Sequence, residues 1–111
     1  MKKIFRKEET MGKLLQKKHF DPHVKDKFTV HTDTEGVVEL ELFEITEKST
    51  PETEMFSLIF KGPHEKKLAQ KSYMMKHPKM GEIELFLVPI SYRLFDAAYY
   101  QAVFNRLIEK K

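Results

Sequence analysis

Histidine and aspartate residues near the N-terminus are the first candidates for metal chemistry in this sequence. His19 and His23 are four residues apart, a spacing that places two imidazole rings on one face of a helix, and Asp21 and Asp26 supply carboxylates close by. Pro22 stands between the two histidines, and proline ends a helix because it lacks an amide hydrogen. We therefore expect separate loop histidines, and the sequence predicts no metal site and no other bound cofactor.

Paired glutamates are the second candidate for chemistry. Glu39 with Glu41, and Glu82 with Glu84, each alternate along a predicted strand, so the carboxylates of a pair lie about 7 Å apart on one face. That distance suits acid–base catalysis, but outward glutamates are also the ordinary way to solvate a sheet. The chain has no cysteine, no G-x-S-x-G nucleophile motif and no phosphate-binding glycine loop. We therefore predict no catalytic residues and a protein that is not an enzyme.

A further polar set is spread over the last part of the chain. Its members are Gln70, Tyr73, His77, Asn105 and Arg106. These side chains converge on one surface if the last strand lies beside the strand near 69–77. The alternative, which we favour, is that Tyr73 and His77 are hydrogen-bonded partners at the rim of the core and that Asn105 and Arg106 end the last strand. If the protein binds a partner on this surface, these five residues are the first place to look.

Two-residue alternation of apolar and polar side chains dominates the chain from residue 27 onward. It predicts strands near 28–32, 38–45, 56–60, 69–77, 82–90 and 98–106. About six antiparallel strands with short connections predict a mainly β single domain, built as a meander that closes into a small barrel or packs as a sandwich. The last segment also satisfies helical spacing, but a strand there makes a hairpin with 82–90, and we prefer it.

Two local features refine the predicted strands. The inward phase of the second strand changes at Leu42-Phe43, because Leu42 continues the first alternation whereas Phe43 and Ile45 begin another. A β-bulge or bend at this point restores the inward direction of the apolar side chains.

Residues 85–90 form the longest apolar run of the chain and end at a proline and an isoleucine. A run this short and this apolar predicts a central strand buried on both faces.

Length and charge divide the chain into a basic arm and a body. The 111 residues suffice for one domain with its own core. Residues 1–27 hold nine Lys/Arg against four Asp/Glu, or +5, whereas residues 28–111 hold eleven against thirteen, or −2. We expect residues 1–20 to form a basic arm with a short helix near 8–19 that ends at Asp21-Pro22, and residues 21–111 to form the β-rich domain. Because no long apolar stretch is present, we expect a cytoplasmic protein without a membrane segment or a secretory signal.

An ordered series of short motifs covers residues 20–106, nearly the whole body. The motifs are Phe56-x-Leu58-x-Phe60-x-Gly62-Pro63, then Gln70 and Tyr73, then His77-Pro78 and Gly81, then Leu85-Phe86-Leu87-Val88-Pro89-Ile90, and finally Ala102-Val103-Phe104-Asn105-Arg106. The series resembles an uncharacterised family of small bacterial β-rich domains of unknown function. In that family a glycine often follows the glutamine, where this chain has Lys71. The resemblance implies no established activity, and it implies an assembly partner, since relatives of this kind are encoded near tail-collar-like or surface-appendage proteins.

Three functions are compatible with the sequence. The one we expect is a non-enzymatic module for protein interaction or assembly, in which an edge strand such as 26–32 or the last strand pairs with another protein or with a second copy. The second is a small-ligand-binding barrel, suggested by the abundant Phe and Met at apolar positions. The third is nucleic-acid binding by the basic arm, which is disfavoured because arginine is scarce and the apolar alternation assigns most aromatic side chains to the core.

Overall fold

Over the residues that the structure describes, the chain forms a closed six-stranded antiparallel β-barrel. A computed structural model describes residues 15–34, 36–91 and 97–107, with the backbone alone for residues 106 and 107. The strands are β1 (Lys27–His31), β2 (Val37–Glu47), β3 (Thr53–Pro63), β4 (Lys71–His77), β5 (Gly81–Ile90) and β6 (Ala97–Leu107). A short helix, α1 (Lys17–Phe20), and a 3-10 helix (Asp21–His23) precede β1. The predicted fold class, mainly β with about six antiparallel strands and a short N-terminal helix, is confirmed.

The strands follow the order β1-β2-β3-β6-β5-β4 around the barrel, and β4 closes it by pairing with β1. The predicted meander is therefore wrong at one connection, because the segment between β3 and β4 carries the chain across one end of the barrel. Leu68 in this segment is buried against the core, which holds the crossing in place. The predicted hairpin between the last strand and 82–90 is confirmed by the pairing of β5 with β6.

Alternating side chains from all six strands fill the inside of the barrel. Because a barrel of so few strands encloses no more space than its own inward side chains occupy, the interior is a packed core. Phe28 and Phe60 meet edge to face in it, with ring centroids 5.5 Å apart. The buried strand residues of the core are Phe28, Val30, Val38, Leu40, Leu42, Phe56, Leu58, Phe60, Tyr73, Met75, Ile83, Leu85, Leu87, Tyr100 and Ala102.

A β-bulge in β2 changes which residues of that strand face the core. The register of β2 against β3 shifts between Leu42 and Glu44, so Phe43 is the extra residue. Leu42 lies in the core and Ile45 packs against it, as the change of apolar phase predicted. The ring of Phe43 is placed beside Tyr99 instead, with ring centroids 5.7 Å apart.

Strand β5 is buried on one face only, which corrects the prediction for residues 85–90. Ile83, Leu85 and Leu87 lie in the core and are at most 4% exposed, whereas Phe86 is 50% exposed. A single closed barrel has no second layer outside it, so the outward side chains of a strand meet solvent. The apolar run therefore combines one core face with an apolar outer surface.

One end of the barrel is covered by residues 15–26, which we call the plug. At this lower end β1, β3 and β5 begin and β2, β4 and β6 end. Phe20 of α1 is fully buried here, with its ring centroid 6.2 Å from that of Phe56 and 5.6 Å from that of Phe104. Most of the helix predicted near 8–19 lies outside the described residues. Asp21-Pro22 ends α1 as predicted, and the chain continues as the 3-10 helix.

Backbone hydrogen bonds fix the plug to the bulged strand. The amide of Lys25 donates to the Leu42 carbonyl at 2.7 Å, and the amide of Leu42 donates to the Asp26 carbonyl at 2.9 Å. Lys25 has a φ of 86°. A positive φ is uncommon for a residue with a side chain because it costs conformational energy. The surrounding contacts offset that energy. These bonds fix the backbone at Asp26, immediately before β1 begins.

The upper end of the barrel is closed by the crossing segment. The Leu68 amide donates a buried hydrogen bond of 2.9 Å to the hydroxyl oxygen of Tyr100. Beside it lies a surface cavity of about 420 Å³ that is open to solvent and lined in part by His64, Leu68 and Pro89. Among the described residues no helix is long and apolar enough to cross a membrane.

Candidate functional site

Two histidines and one aspartate meet where the plug contacts the end of β4. His23 lies in the 3-10 helix, Asp26 immediately precedes β1, and His77 is the last residue of β4. The same carboxylate oxygen, Asp26 Oδ2, lies 2.9 Å from His23 Nδ1 and 2.9 Å from His77 Nε2. The two imidazole rings pack edge to face, with centroids 4.4 Å apart. We call this arrangement the His23–Asp26–His77 cluster.

The hydrogen bonds on the other side of His77 decide its tautomer. His77 Nδ1 accepts the backbone N–H of Lys79 at 3.0 Å and that of Met80 at 3.1 Å. A nitrogen that accepts two N–H groups carries no proton, so the proton of the neutral ring is on Nε2 and is donated to Asp26. His77 therefore stabilises the turn between β4 and β5 with one nitrogen and orients Asp26 with the other.

The cluster also fixes the charge state of the aspartate. Hydrogen bonds from His23 and then from His77 hold the pKa of Asp26 below its ordinary value, and partial burial opposes them. The side chain of Asp26 is 43% exposed whereas that of His77 is 3% exposed. The carboxylate is thus ionised at neutral pH, reaches solvent on one side and accepts two N–H groups on the other.

A metal ion is the obvious alternative occupant, since two histidines and a carboxylate form a common ligand set. The three ligand atoms lie within 4.8 Å of one another. Metals bind neutral imidazole, and the second ring nitrogen of a metal ligand ordinarily donates its N–H. His77 Nδ1 accepts two N–H groups instead, so a metal on Nε2 would leave the ring without any proton. The geometry therefore fits a hydrogen-bonded cluster better than a metal centre.

Neutralising Asp26 is expected to change how stability depends on pH. Because its pKa is lowered on folding, its contribution is fully present above the ordinary value of 3.8 and is lost as pH falls through the lower folded value. Urea unfolding from pH 7 to pH 2 should show a gap between wild type and Asp26→Asn that is widest above pH 4 and closes at the acid end. Asp33→Asn, at an exposed position after β1, is the control. An Asp26→Asn gap that stays constant across the range would contradict the assignment.

The predicted polar set is not brought together by the fold. Strand β6 pairs with β3 and β5, and therefore does not lie beside β4. Gln70 is exposed just before β4 at the upper end, whereas Asn105 is exposed near the lower end of β6. The remaining members are Tyr73 and His77, both buried, and Arg106, which is opposite Glu54 in the β3–β6 register. Binding at any of these residues stays a prediction.

Tyr73 acts as a structural partner of the core rim, as the alternative prediction supposed. Its hydroxyl donates to the Ala69 carbonyl at 2.7 Å. Burial raises the pKa of the Tyr73 phenol above its usual value, and the bond to Ala69 opposes that shift. The phenol thus stays protonated and anchors the residue before Gln70.

Of the four residues that the sequence offered as metal ligands, only His23 and Asp26 belong to the observed cluster. His19 does not join it, because His19 Nδ1 accepts the Gln16 amide at 2.9 Å and closes the first turn of α1. Asp21 lies on the surface and pairs with Lys17 at 3.1 Å. The missing member was His77, which is 51 residues from Asp26. No local spacing connects the two, and only the adjacency of β1 and β4 places them at the same end.

The second candidate site is the edge of β6 beyond its pairing with β5. On one side β6 pairs with β3 along its whole length, from Ala97 to Leu107. On the other side the described pairs with β5 are three, Val88 with Gln101, Pro89 with Tyr100 and Ile90 with Tyr99. Within the described chain, residues 102–107 therefore present backbone groups to no strand on that side. We call this stretch the β6 edge.

Exposed apolar side chains border the β6 edge. Val103 is 57% exposed on its outer face, and Phe86 on β5 is 50% exposed. Phe86 lies two residues before Val88 and Val103 lies two residues after Gln101, and Val88 and Gln101 form the last described pair of β5 and β6. Met74 of the neighbouring strand β4 is 46% exposed. An apolar surface beside unpaired strand backbone is the combination that extended protein segments bind.

Comparisons with known proteins give a family and no function. Neither a curated protein nor a solved structure matches the chain. A family model described as a domain of unknown function (DUF6916) matches residues 15–104, which run from the start of the plug into β6. The membership predicted from the motifs is thereby confirmed at the level of the family. The chain belongs to this family of domains of unknown function.

Proposed function

We propose that this protein is a non-enzymatic module for protein interaction or assembly, and that it binds an extended segment of a partner along the β6 edge. The observation that carries the proposal is the end of the β5–β6 pairing at Gln101, next to the exposed side chains of Val103 and Phe86. A strand added there gains hydrogen bonds to β6 and apolar contacts on its outer face.

The chemistry of the His23–Asp26–His77 cluster supports a non-enzymatic role. Both nitrogens of His77 are engaged, and Asp26 accepts bonds from two rings. The cluster joins three segments of the chain, namely the 3-10 helix, the start of β1 and the turn after β4. Its hydrogen bonds therefore hold the lower end of the barrel together, which is sufficient reason for these residues to be present.

Packing of the interior argues against the small-ligand alternative. The axis of the barrel is occupied by large side chains with essentially no solvent exposure, Phe28, Phe60, Leu40 and Tyr100 among them. Ligand-binding pockets of drug-like size need several hundred cubic ångströms of concave space. The cavity of about 420 Å³ lies at the upper rim and opens to solvent, outside the strand core. A ligand inside the barrel would have to displace core side chains.

A reducing environment suits this module. Cysteine is absent from the whole chain, and cytosolic proteins do not use disulfides for stability. We therefore place the proposed module in the bacterial cytoplasm. Its proposed partner there is a protein and not a nucleic acid. The outward glutamates of β2 and β5 lie beside lysines, since Glu41 is opposite Lys27 and Lys76 is 3.6 Å from Glu82. Residues 28–111 carry eleven Lys/Arg against thirteen Asp/Glu, a net charge of −2, which gives a phosphate backbone little attraction to the barrel.

Site-specific photocross-linking tests the proposal directly. A benzophenone amino acid at position 103, in cells that produce the protein, should capture a discrete protein product that mass spectrometry identifies at the β6 edge. The matched control is position 37, where another valine is 52% exposed on a different strand, β2. Equal or absent cross-linking at positions 103 and 37 would exclude the β6 edge as the binding surface.

A further inference from the structure

We propose that the outer surface of the barrel binds a small phosphate-containing ligand at Lys25, Phe43 and Lys61. This inference goes beyond the proposed function, because it concerns a different surface from the β6 edge. The ammonium nitrogen of Lys25 lies 4.9 Å from the centroid of the Phe43 ring, and that of Lys61 lies 5.6 Å from the same centroid. We call this arrangement the Lys25–Phe43–Lys61 site.

The backbone at Lys25 is the first observation that supports the site. Among the described residues other than glycine, only Lys25 has a positive φ, at 86°. Glycine adopts such an angle without strain, whereas a residue with a side chain is strained there. Lys25 is exposed and lies outside the core cluster, so its side chain does not serve the packing of the barrel. Because backbone strain is concentrated at functional sites, a lysine at this angle indicates a use for its ammonium group.

The β-bulge in β2 is the second observation. It makes Phe43 the extra residue of the strand, and bulges re-aim side chains beside functional sites. The Phe43 ring packs edge to face against Tyr99, which is 2% exposed. The Lys25 amide donates to the carbonyl of Leu42, the residue before Phe43, at 2.7 Å. One hydrogen bond thus joins two departures from regular backbone, and both bring a side chain to the same place.

The charges of the site are the third observation. In the part of the chain that the structure describes, no carboxylate forms an ion pair with Lys25 or Lys61. Glu41 is opposite Lys61 in the register of β2 and β3, but it is also opposite Lys27 of β1. Two ammonium groups beside one ring repel each other, so a negatively charged ligand that contacts both is stabilised by both.

Phosphate is the charged group that matches two lysines. A phosphomonoester carries a charge of about −1.5 to −2 at pH 7, which two ammonium groups balance. Lysine binds phosphate as a point charge and needs no fixed fork geometry for the contact. The half-buried ring of Phe43 offers an apolar surface to the organic part of a ligand. A phosphomonoester of a small organic molecule therefore fits the site better than a phosphodiester, which carries one negative charge per phosphate.

Titration followed by nuclear magnetic resonance tests the inference on the whole chain. At low ionic strength, phenyl phosphate should shift the backbone amide signals of Lys25, Phe43 and Lys61 saturably, with a Kd on the order of 1 mM. Inorganic phosphate should bind at the same signals but more weakly, because it has no ring to pack on Phe43. Dimethyl phosphate, with a single charge, should bind most weakly. Equal affinity for all three would overturn the assignment to a phosphomonoester.

Removing either ammonium group should weaken binding. Lys25→Met and Lys61→Met each remove one charge and keep most of the side-chain volume, so each should raise the Kd for phenyl phosphate by about fivefold. Lys71→Met is the matched control, because Lys71 is a single lysine 5.6 Å from the ring of Tyr73. It should leave the Kd unchanged. Binding that does not saturate by about 20 mM phenyl phosphate, or that Lys71→Met weakens equally, would overturn the inference.

Lys25→Gly separates binding from a purely structural role. Glycine accepts the φ of 86° without strain but has no ammonium group. The variant should therefore keep the urea midpoint of wild type and lose affinity for phenyl phosphate as much as Lys25→Met does. If it instead unfolds at a clearly lower urea concentration and keeps wild-type affinity, then the lysine only fixes the plug and the inference fails.

Discussion

Phe28→Ala is expected to lower the free energy of unfolding by about 3–5 kcal/mol, the range for removing a large buried aromatic side chain. The Phe28 ring is fully buried, lies 5.5 Å from the Phe60 ring and lies 4.7 Å from the His77 ring. It thus contacts both the barrel core and the His23–Asp26–His77 cluster, and its loss leaves a cavity where they meet. Urea unfolding monitored by circular dichroism at neutral pH measures the change.

The matched control for Phe28→Ala is Val37→Ala. Val37 is 52% exposed on β2, so its truncation should change the free energy of unfolding by less than about 0.5 kcal/mol. A loss below about 1 kcal/mol for Phe28→Ala would contradict the packed interior, because a cavity of that size does not close without cost. The comparison also tests the argument against an internal ligand, which depends on the same packing.

His77→Leu is expected to lower the free energy of unfolding by about 2–4 kcal/mol, since an unsatisfied polar group costs about 1–3 kcal/mol. Leucine keeps much of the apolar volume but accepts no hydrogen bond from the Lys79 and Met80 amides. It also removes one of the two donors to Asp26. Urea unfolding gives the loss, and hydrogen exchange at the two amides should speed up first.

His31→Leu serves as the control for His77→Leu, because His31 is an exposed histidine at the end of β1. Its replacement should leave both the stability and the exchange of the Lys79 and Met80 amides near wild type. If His77→Leu destabilises the protein while those two amides keep wild-type exchange, then His77 does not act through the turn and the tautomer assignment fails.

The two candidate sites lie at the same end of the barrel and share the plug. His23 and Asp26 belong to the plug, and Phe20 of the plug packs against Phe104 of β6 with ring centroids 5.6 Å apart. Phe104 in turn stacks on Phe56 of β3 at 4.7 Å. Destabilising the cluster is therefore expected to loosen the support of the β6 edge, so Val103 variants are best compared in chains with an intact cluster.

Local sequence patterns determined the strands themselves. Alternation of Val38, Leu40 and Leu42 is visible without any partner, because a strand buried on one face repeats every two residues. The phase change at Phe43 predicted the bulge for the same reason. The last segment was resolved correctly as a strand, β6, since its inward residues pack in the barrel core. The family could also be predicted, because its motifs are contiguous stretches of sequence.

Only the tertiary structure decided the order of the strands and therefore both candidate sites. The crossing between β3 and β4 brings β4 beside β1, and this adjacency joins His77 to Asp26 across 51 residues. The same topology leaves the outer face of β5 in solvent and ends the β5–β6 pairing at Gln101. Periodicity reports which face of a strand is buried, but it carries no information about the neighbouring strand. That choice depends on how distant segments pack, because many strand orders bury the same alternating side chains equally well.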